Sequence, residues 1–348
     1  MRDIRVVSRR NDAEFGRRVS PGFDPSVRPI QILNIETDAT FVLRPPRIKN
    51  VRSPPASMNR TSSCQNLIMP TEDSKPVDES IRRLIDRWVT SGEIASKDYQ
   101  PTMTSTNSVA GQWVQSHRDK DSSTSPGSTL VIGLPRLVIA DVQTQGRGRL
   151  GRTWDAQSDG LAFSIVMKGC HELLSIAVGV AIAEAIEHVA APVRCGLKWP
   201  NDVWMSGVKV AGTLIERFDS SVADRDHSTP VAVIGIGINV GSSPTLEDAE
   251  ATSVQEATGK WVTRAALLEE LVPALIEQVT RCESDSGGVL DAFRRRCVLT
   301  GEMIRCSIDG QSVEGRCEGI NEHGEMRVRT IAGESVCRSG EVNRVRRV

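Results

Sequence analysis

Apolar side chains recur along most of this chain with the periods of regular structure. Between Ser80 and Ser91, Ile81, Leu84, Ile85 and Trp88 share one face, which predicts a short amphipathic helix. Leu137–Ala140 and Leu161–Met167 are compact apolar runs that predict strands. Leu173–Val189 is apolar almost all round and predicts a buried helix. Lys209–Glu216 and Val231–Val240 predict further strands; the second buries Gly235 and Gly237, suggesting close approach of a backbone or ligand. Ala265–Val279 sets Leu267, Leu268, Leu271, Leu275 and Val279 on one side of a helix that Pro273 is expected to bend.

From about Leu299 the pattern changes to short alternating runs. Met303–Ile308, Ser312–Cys317, Glu325–Ile331 and Ser335–Arg338 predict strands, with turn signals at Asp309-Gly310 and Asn321–Gly324. About 50 residues of this kind make a small β-barrel, too small to bury much area alone and expected to pack on the domain before it.

Residues 1–78 lack a sustained period. They hold 9 of the 17 prolines, and 13 basic side chains against 9 acidic ones. This composition predicts a mostly disordered extension. No helix-turn-helix pattern is visible in it, so a winged helix is not expected. Met58 and Met69 are alternative starts. Residues 117–130 and 218–229 are polar and read as loops.

Composition narrows the function classes. A formal net charge of −1 over 348 residues gives no global reason to expect nucleic acid or an anionic membrane. No apolar run is long enough to span a bilayer. Eight cysteines are scattered without a C-x-x-C pair, which predicts free thiols, a cytoplasmic protein and no zinc site.

The chemistry concentrates between the first two strands, in Gly146-Arg147-Gly148-Arg149-Leu150-Gly151-Arg152-Thr153-Trp154. Glycine permits close backbone approach, and each arginine offers a fork of donors matched to carboxylate or phosphate oxygens. The stretch predicts a cationic loop for an anionic ligand such as a nucleotide. Gly146, Gly148 and Gly151 match G-x-G-x-x-G, but a turn and a strand follow instead of a helix, which excludes the dinucleotide fingerprint. No Lys-Ser/Thr follows the last glycine, which excludes a Walker loop. Ser105-Thr106-Asn107 reads either as a helix N-cap cluster or as a polar grip on a ligand head group. Lys198 enters an apolar strand just before Trp199-Pro200. Its ammonium needs an anionic partner, unless it snorkels to solvent.

Taken in order, GRGRLGRTW (146–154), KWPND (198–202), KVAG (209–212) and GIGINV (235–240) resemble the motifs of biotin protein ligases over about residues 98–348. The resemblance implies an α+β fold, a mixed α/β catalytic domain of the biotin/lipoate ligase type over 79–297 followed by an SH3-like β-barrel over 298–348. It implies that biotin and MgATP give biotinyl-5′-adenylate, which then biotinylates a lysine of a biotin carboxyl carrier domain. It assigns biotin to Ser105, Thr106, Asn107, Gln143, Arg147, Gly148, Arg149 and Lys198. It assigns the adenylate to Gly146, Arg147, Arg149, Trp154, Asn201, Lys209 and Asn239, with Lys198 and Arg149 catalytic and no protein metal ligands. By the same resemblance the Gly/Arg loop orders on ligand binding. The repressor function of bifunctional relatives is not carried over, DNA is not an expected partner, and a homodimer is left open. A lipoate ligase is the nearest rival; a biotin-binding regulator on the same scaffold is the other.

Overall fold

The computed structural model describes residues 78–121, 133–155, 159–218, 230–245, 250–308 and 310–345, all within the compact unit Met69–Val348. All of the extension read at 1–78 except Asp78, its alternative starts, most of the two polar loops and Asp309 lie outside the described residues.

In chain order the elements are α1 (Glu79–Ser91), β1 (Ser96–Met103), α2 (Thr106–Asp121), β2 (Arg136–Gln143), β3 (Leu161–Lys168), α3 (Leu174–Val189), β4 (Gly196–Lys198), β5 (Asp202–Met205), β6 (Val208–Phe218) and β7 (Val231–Ile238). Then follow α4 (Val254–Thr258), α5 (Arg264–Ser284), α6 (Ser286–Arg294), β8 (Met303–Ile308), β9 (Gln311–Ile320), β10 (Met326–Thr330), β11 (Gly333–Cys337) and β12 (Val342–Arg344).

The first seven strands form one mixed sheet in the order β1-β2-β3-β7-β6-β5-β4, with only β1 and β2 parallel. Its central strands are buried on both faces, and the period of two sorts their side chains. Leu137, Ile139, Phe163, Ile165, Ile234 and Ile236 join the large core under α1, α3, α5 and α6. Val138, Ala140, Val166, Val231 and Val233 join a smaller core under α2. The second face is where the site forms. Toward the ends of β3 and β7 it carries Ser164, Gly235 and Gly237 in place of large apolar residues.

The all-round apolar helix at 173–189 is α3, and it is buried as its pattern requires. Its one buried acid, Glu187, accepts from Arg296 Nη2 at 2.9 Å and from the Cys195 amide at 3.0 Å. Burial alone would raise this carboxyl; those donors hold it below the usual range instead. The residues beside Arg296 also cover the free edge of β4, the Leu197 amide donating to Arg296 O at 2.7 Å and the Val298 amide to Leu197 O at 3.0 Å.

Several boundaries differ from the sequence reading. β1 was hidden by Pro101, which cannot donate to a ladder. It is tolerated because β1 is an edge strand. Polar composition made 117–121 read as loop, yet α2 runs to Asp121. Helix α6 was missed because Gly287-Gly288 sits in its first turn, where Asp285 supplies the cap. α5 continues through Pro273.

The C-terminal strands form a five-stranded antiparallel sheet in the order β11-β10-β9-β8-β12. Its inner residues, among them Ile304, Ile320, Met326 and Val328, are continuous with the large core. At the expected 321–324 turn, Asn321 Oδ1 accepts from the amides of His323 and Glu325. Trp199 Nε1 donates to the Gly324 carbonyl at 2.9 Å, fixing this turn to the β4–β5 turn of the seven-stranded sheet.

Candidate active site

Three structural devices build a cleft on the α2 face of the sheet. The first is the junction of β1 and α2. The Thr106 amide, one of the donors left over at the start of a helix, is satisfied from a distant strand: Gln143 Oε1 accepts from it at 2.8 Å and lies 3.2 Å from Thr106 Oγ1. Ser105 and Thr106 are therefore buried and fixed at the cleft wall. Ser164 Oγ lies 2.8 Å from Thr106 Oγ1 and 2.6 Å from Asn107 Oδ1; with one proton it donates to only one of the two.

The second device is the glycine floor. A β-carbon on Gly235 would lie 2.1 Å from Asn107 Oδ1, and one on Gly237 would lie 2.2 Å from Trp154 Cε2. The bare backbone of β7 thus admits both side chains against the sheet.

The third is the Gly/Arg loop itself, which folds as a small hairpin. Arg147 and Thr153 form an antiparallel bridge, the Gly148 amide donates to Arg152 O at 2.7 Å, and the Trp154 amide donates to Gly146 O at 2.9 Å. The tip is a single 3-10 turn over Arg149–Gly151 in which Leu150 is left-handed at φ 56° and exposed. Each arginine is fastened to a different element. Arg147 pairs with Glu216 at the end of β6; Arg149 Nη1 donates to Asn201 Oδ1 at 2.8 Å; Arg152 pairs with Glu341, just before β12.

The electrostatics of these cations differ. Lys209 is matched by Asp202 at 2.7 Å, and its ammonium also lies 5.7 Å from the centroid of the Trp154 ring. Arg149 and Lys198 form no ion pair among the described residues. Burial lowers the pKa of both, with Asp202 and Glu341 opposing the shift. The Lys198 ammonium lies 5.1 Å from the centroid of the Trp204 ring. Half-buried cations without a counter-ion favour an anion brought by a ligand.

Residues 133–239 match the Biotin/lipoate A/B protein ligase family. The biotin--[acetyl-CoA-carboxylase] ligase of Paracoccus denitrificans is 30% identical over 238 residues, covering 64% of this chain and 96% of that protein. The chain belongs to the biotin protein ligase family. The corresponding ligase of Mycobacterium tuberculosis is 30% identical over 220 residues, covering 60% of this chain and 79% of its own length. Among solved structures, the biotin protein ligase from Aquifex aeolicus in complex with biotin and ATP aligns with a TM-score of 0.56 at 25% identity, over 72% of this chain and 99% of that one.

Against this family background, ten of the thirteen residues singled out from sequence line one cleft: Ser105, Thr106, Asn107, Gln143, Arg147, Gly148, Arg149, Trp154, Asn201 and Lys209. Three do not line it. Gly146 is buried at the base of the hairpin. Lys198 is the last residue of β4, with its ammonium over the Trp204 ring. Asn239 is buried, its Nδ2 donating to Thr252 O at 3.0 Å, and so anchors the segment after β7. The cleft also takes Gly212, Leu214, Gly235 and Gly237, which the sequence reading had not assigned to the site. The signal for two of them was present, since glycine inside a buried strand marks close approach. Glu216 and Ser164 gave no signal, because one acid at a strand end and one serine within a strand are ordinary.

Proposed function

We propose that this chain attaches biotin covalently to a specific lysine of a biotin carboxyl carrier domain, using ATP and passing through biotinyl-5′-adenylate. The observation that carries the reading is the pair of half-buried cations that form no ion pair among the described residues: Arg149, which lines the glycine-floored cleft, and Lys198, which feels the charges of Asp202 and Lys209 at its edge.

In the first step a carboxylate oxygen attacks the α-phosphorus of ATP and pyrophosphate leaves. The obstacle is repulsion between a carboxylate and a polyanion, so cations matter more than a nucleophile. We assign Lys198 to the biotin carboxylate and then to the bridging region of the adenylate. Arg147 and Arg149 close over the phosphate, and the Trp154 indole walls the cleft above Gly237. Ser105, Thr106, Asn107 and Gln143 hold the head of biotin, where Thr106 and Gln143 already share a proton network. Asn201 and Lys209 serve the adenylate side. Asn239 acts from behind, by holding the end of β7. In the second step the ε-amine of the acceptor lysine attacks the acyl carbon, AMP departs with the electron pair of the broken C–O bond, and the amine loses a proton. No covalent enzyme intermediate is needed.

Magnesium typically binds through one or two carboxylates and the phosphates of the nucleotide. Asp202, which pairs with the cleft residue Lys209, is the carboxylate that would help hold such an ion. Bound there, it would neutralise phosphate charge.

We divide the chain into a catalytic domain over 79–297 and an SH3-like barrel over 298–348; the continuous antiparallel order of the last five strands supports this. Cys195, Cys282, Cys297, Cys306, Cys317 and Cys337 are free thiols, in keeping with a cytoplasmic enzyme. No described helix is long and apolar enough to cross a membrane.

The deciding experiment is label transfer from biotin to a purified carboxyl carrier domain with MgATP, run beside lipoate. Labelling of one lysine by biotin alone is expected. Labelling by lipoate would move the chain to the sister activity, and biotin binding without transfer would make it a biotin-responsive regulator.

A further inference from the structure

Glu216 lies in the half of β6 that runs on beyond its pairing with β5. Its side chain leaves the sheet on the same face as Gly212 and Leu214, the face of the cleft. Both carboxylate oxygens are used within the protein. Oε2 accepts from Asn107 Nδ2 at 3.0 Å, and Oε1 pairs with Arg147. Asn107 is itself immobilised. Its Nδ2 also donates to Leu214 O at 3.0 Å, its Oδ1 lies 2.6 Å from Ser164 Oγ, and it sits on Gly235, 4% exposed.

An ion pair between two mobile surface side chains contributes little, because each must give up its rotamers. Here one partner is already fixed by a buried amide, so the pair orders only Arg147. Asn107 comes from α2, Glu216 from β6 and Arg147 from the Gly/Arg hairpin. The carboxylate is therefore the joint through which Arg147 is tied to the rigid part of the cleft. A free carboxylate at this place would repel an anionic ligand, which argues that it acts through Arg147 and not on the ligand.

We propose that Glu216 is a positioning residue that, with Asn107, holds Arg147 over the cleft and so retains the acyl-adenylate until an acceptor amine arrives. The inference rests on the functional reading above. Its consequence is a split between steps. Forming the adenylate depends on the cations at the reacting atoms. Keeping it depends on the hairpin staying fastened.

The test measures two quantities on the full chain with labelled biotin and MgATP: the first-turnover rate of adenylate formation and the rate of adenylate release without acceptor. Glu216→Gln cannot form the ion pair, and should release adenylate about tenfold faster, equivalent to about 1.4 kcal/mol, while formation changes by less than about threefold. Glu216→Asp keeps the charge on a shorter arm and should fall between that variant and the wild type. Thermal midpoints are taken in parallel. A fall in Tm with release unchanged would make Glu216 merely structural and overturn the inference. If Glu216→Gln does not fold, Glu216→Asp decides on the same criterion. Adenylate made by the wild type and retained equally by the variants would overturn this inference alone; a wild type that makes no adenylate would overturn the functional reading with it.

Discussion

The Trp154 indole rests on the backbone of Gly237, with no space for a β-carbon between them: one built on Gly237 would approach Cε2, Cζ2 and Nε1 to 2.2, 2.5 and 2.6 Å. Gly237→Ala must therefore push the indole into the cleft. Overpacking of this kind costs about 1–3 kcal/mol, but the larger effect is expected on binding. Calorimetric titration with ATP should give an affinity at least about tenfold weaker, with the fold retained by circular dichroism. Wild-type affinity in this variant would mean that Trp154 does not wall the nucleotide side of the cleft.

Lys198 carries a pH prediction. Burial lowers its pKa below the ordinary lysine value of 10.5; Lys209 and Arg152 add to the shift, and Asp202 and Glu341 oppose it. Since the charged form is assigned the work, adenylate formation should fall on the alkaline side at a pH below 10.5, and Lys198→Arg should move that limb upward. The stability linkage has the opposite sense. Below the folded pKa the desolvation penalty is present in full, and it is relieved as pH rises from that value toward 10.5, where the unfolded chain still holds the proton. Lys198→Ala should lower adenylate formation about 100- to 1,000-fold, by analogy with the removal of one preorganised charge contact. A variant within about tenfold of wild type would remove Lys198 from the mechanism.

Arg149→Ala removes the half-buried guanidinium that Asn201 orients. Free biotinyl-adenylate should then escape and label lysines without regard to their setting. Mass spectrometry of an unrelated bystander protein in the reaction would detect it, and unchanged acceptor selectivity would sink the assigned role.

Trp199→Phe tests the attachment of the C-terminal sheet. The substitution keeps most of the buried ring but leaves the buried Gly324 carbonyl without its donor, a loss of about 1–3 kcal/mol. Urea denaturation should show the unfolding free energy lowered by that amount and the midpoint moved to lower urea. An unmoved midpoint would mean the turn is held by its other contacts, chiefly the packing of Gly324 on Leu173 and Ile176.

Much of this architecture was legible because the central strands and α3 are buried on every side and leave unmistakable apolar runs. The hairpin was legible as a cationic loop set apart from the core because no core uses three arginines in seven residues. Other features depend on partners remote in sequence. Gln143 caps a helix that begins 37 residues earlier. Glu216 reaches Arg147 across 69 residues. Nothing near either residue announces the pairing, since a side-chain bond between elements leaves no local period. Pro101 and Gly287-Gly288 hid real elements for a different reason. Each breaks a local preference that an edge position or a capped first turn overrides.

The glycine floor limits how this cleft can change. Asn107 and Trp154 lie flat against the sheet because side chains are absent along β7, and glycine is already the smallest residue. Substitution there can only make the chamber shallower. A variant that accepts a bulkier acid would have to be sought in Leu214 of β6 or in the hairpin above, where there are atoms to remove. Selection for altered substrate range should therefore return changes in those walls and leave Gly235 and Gly237 untouched.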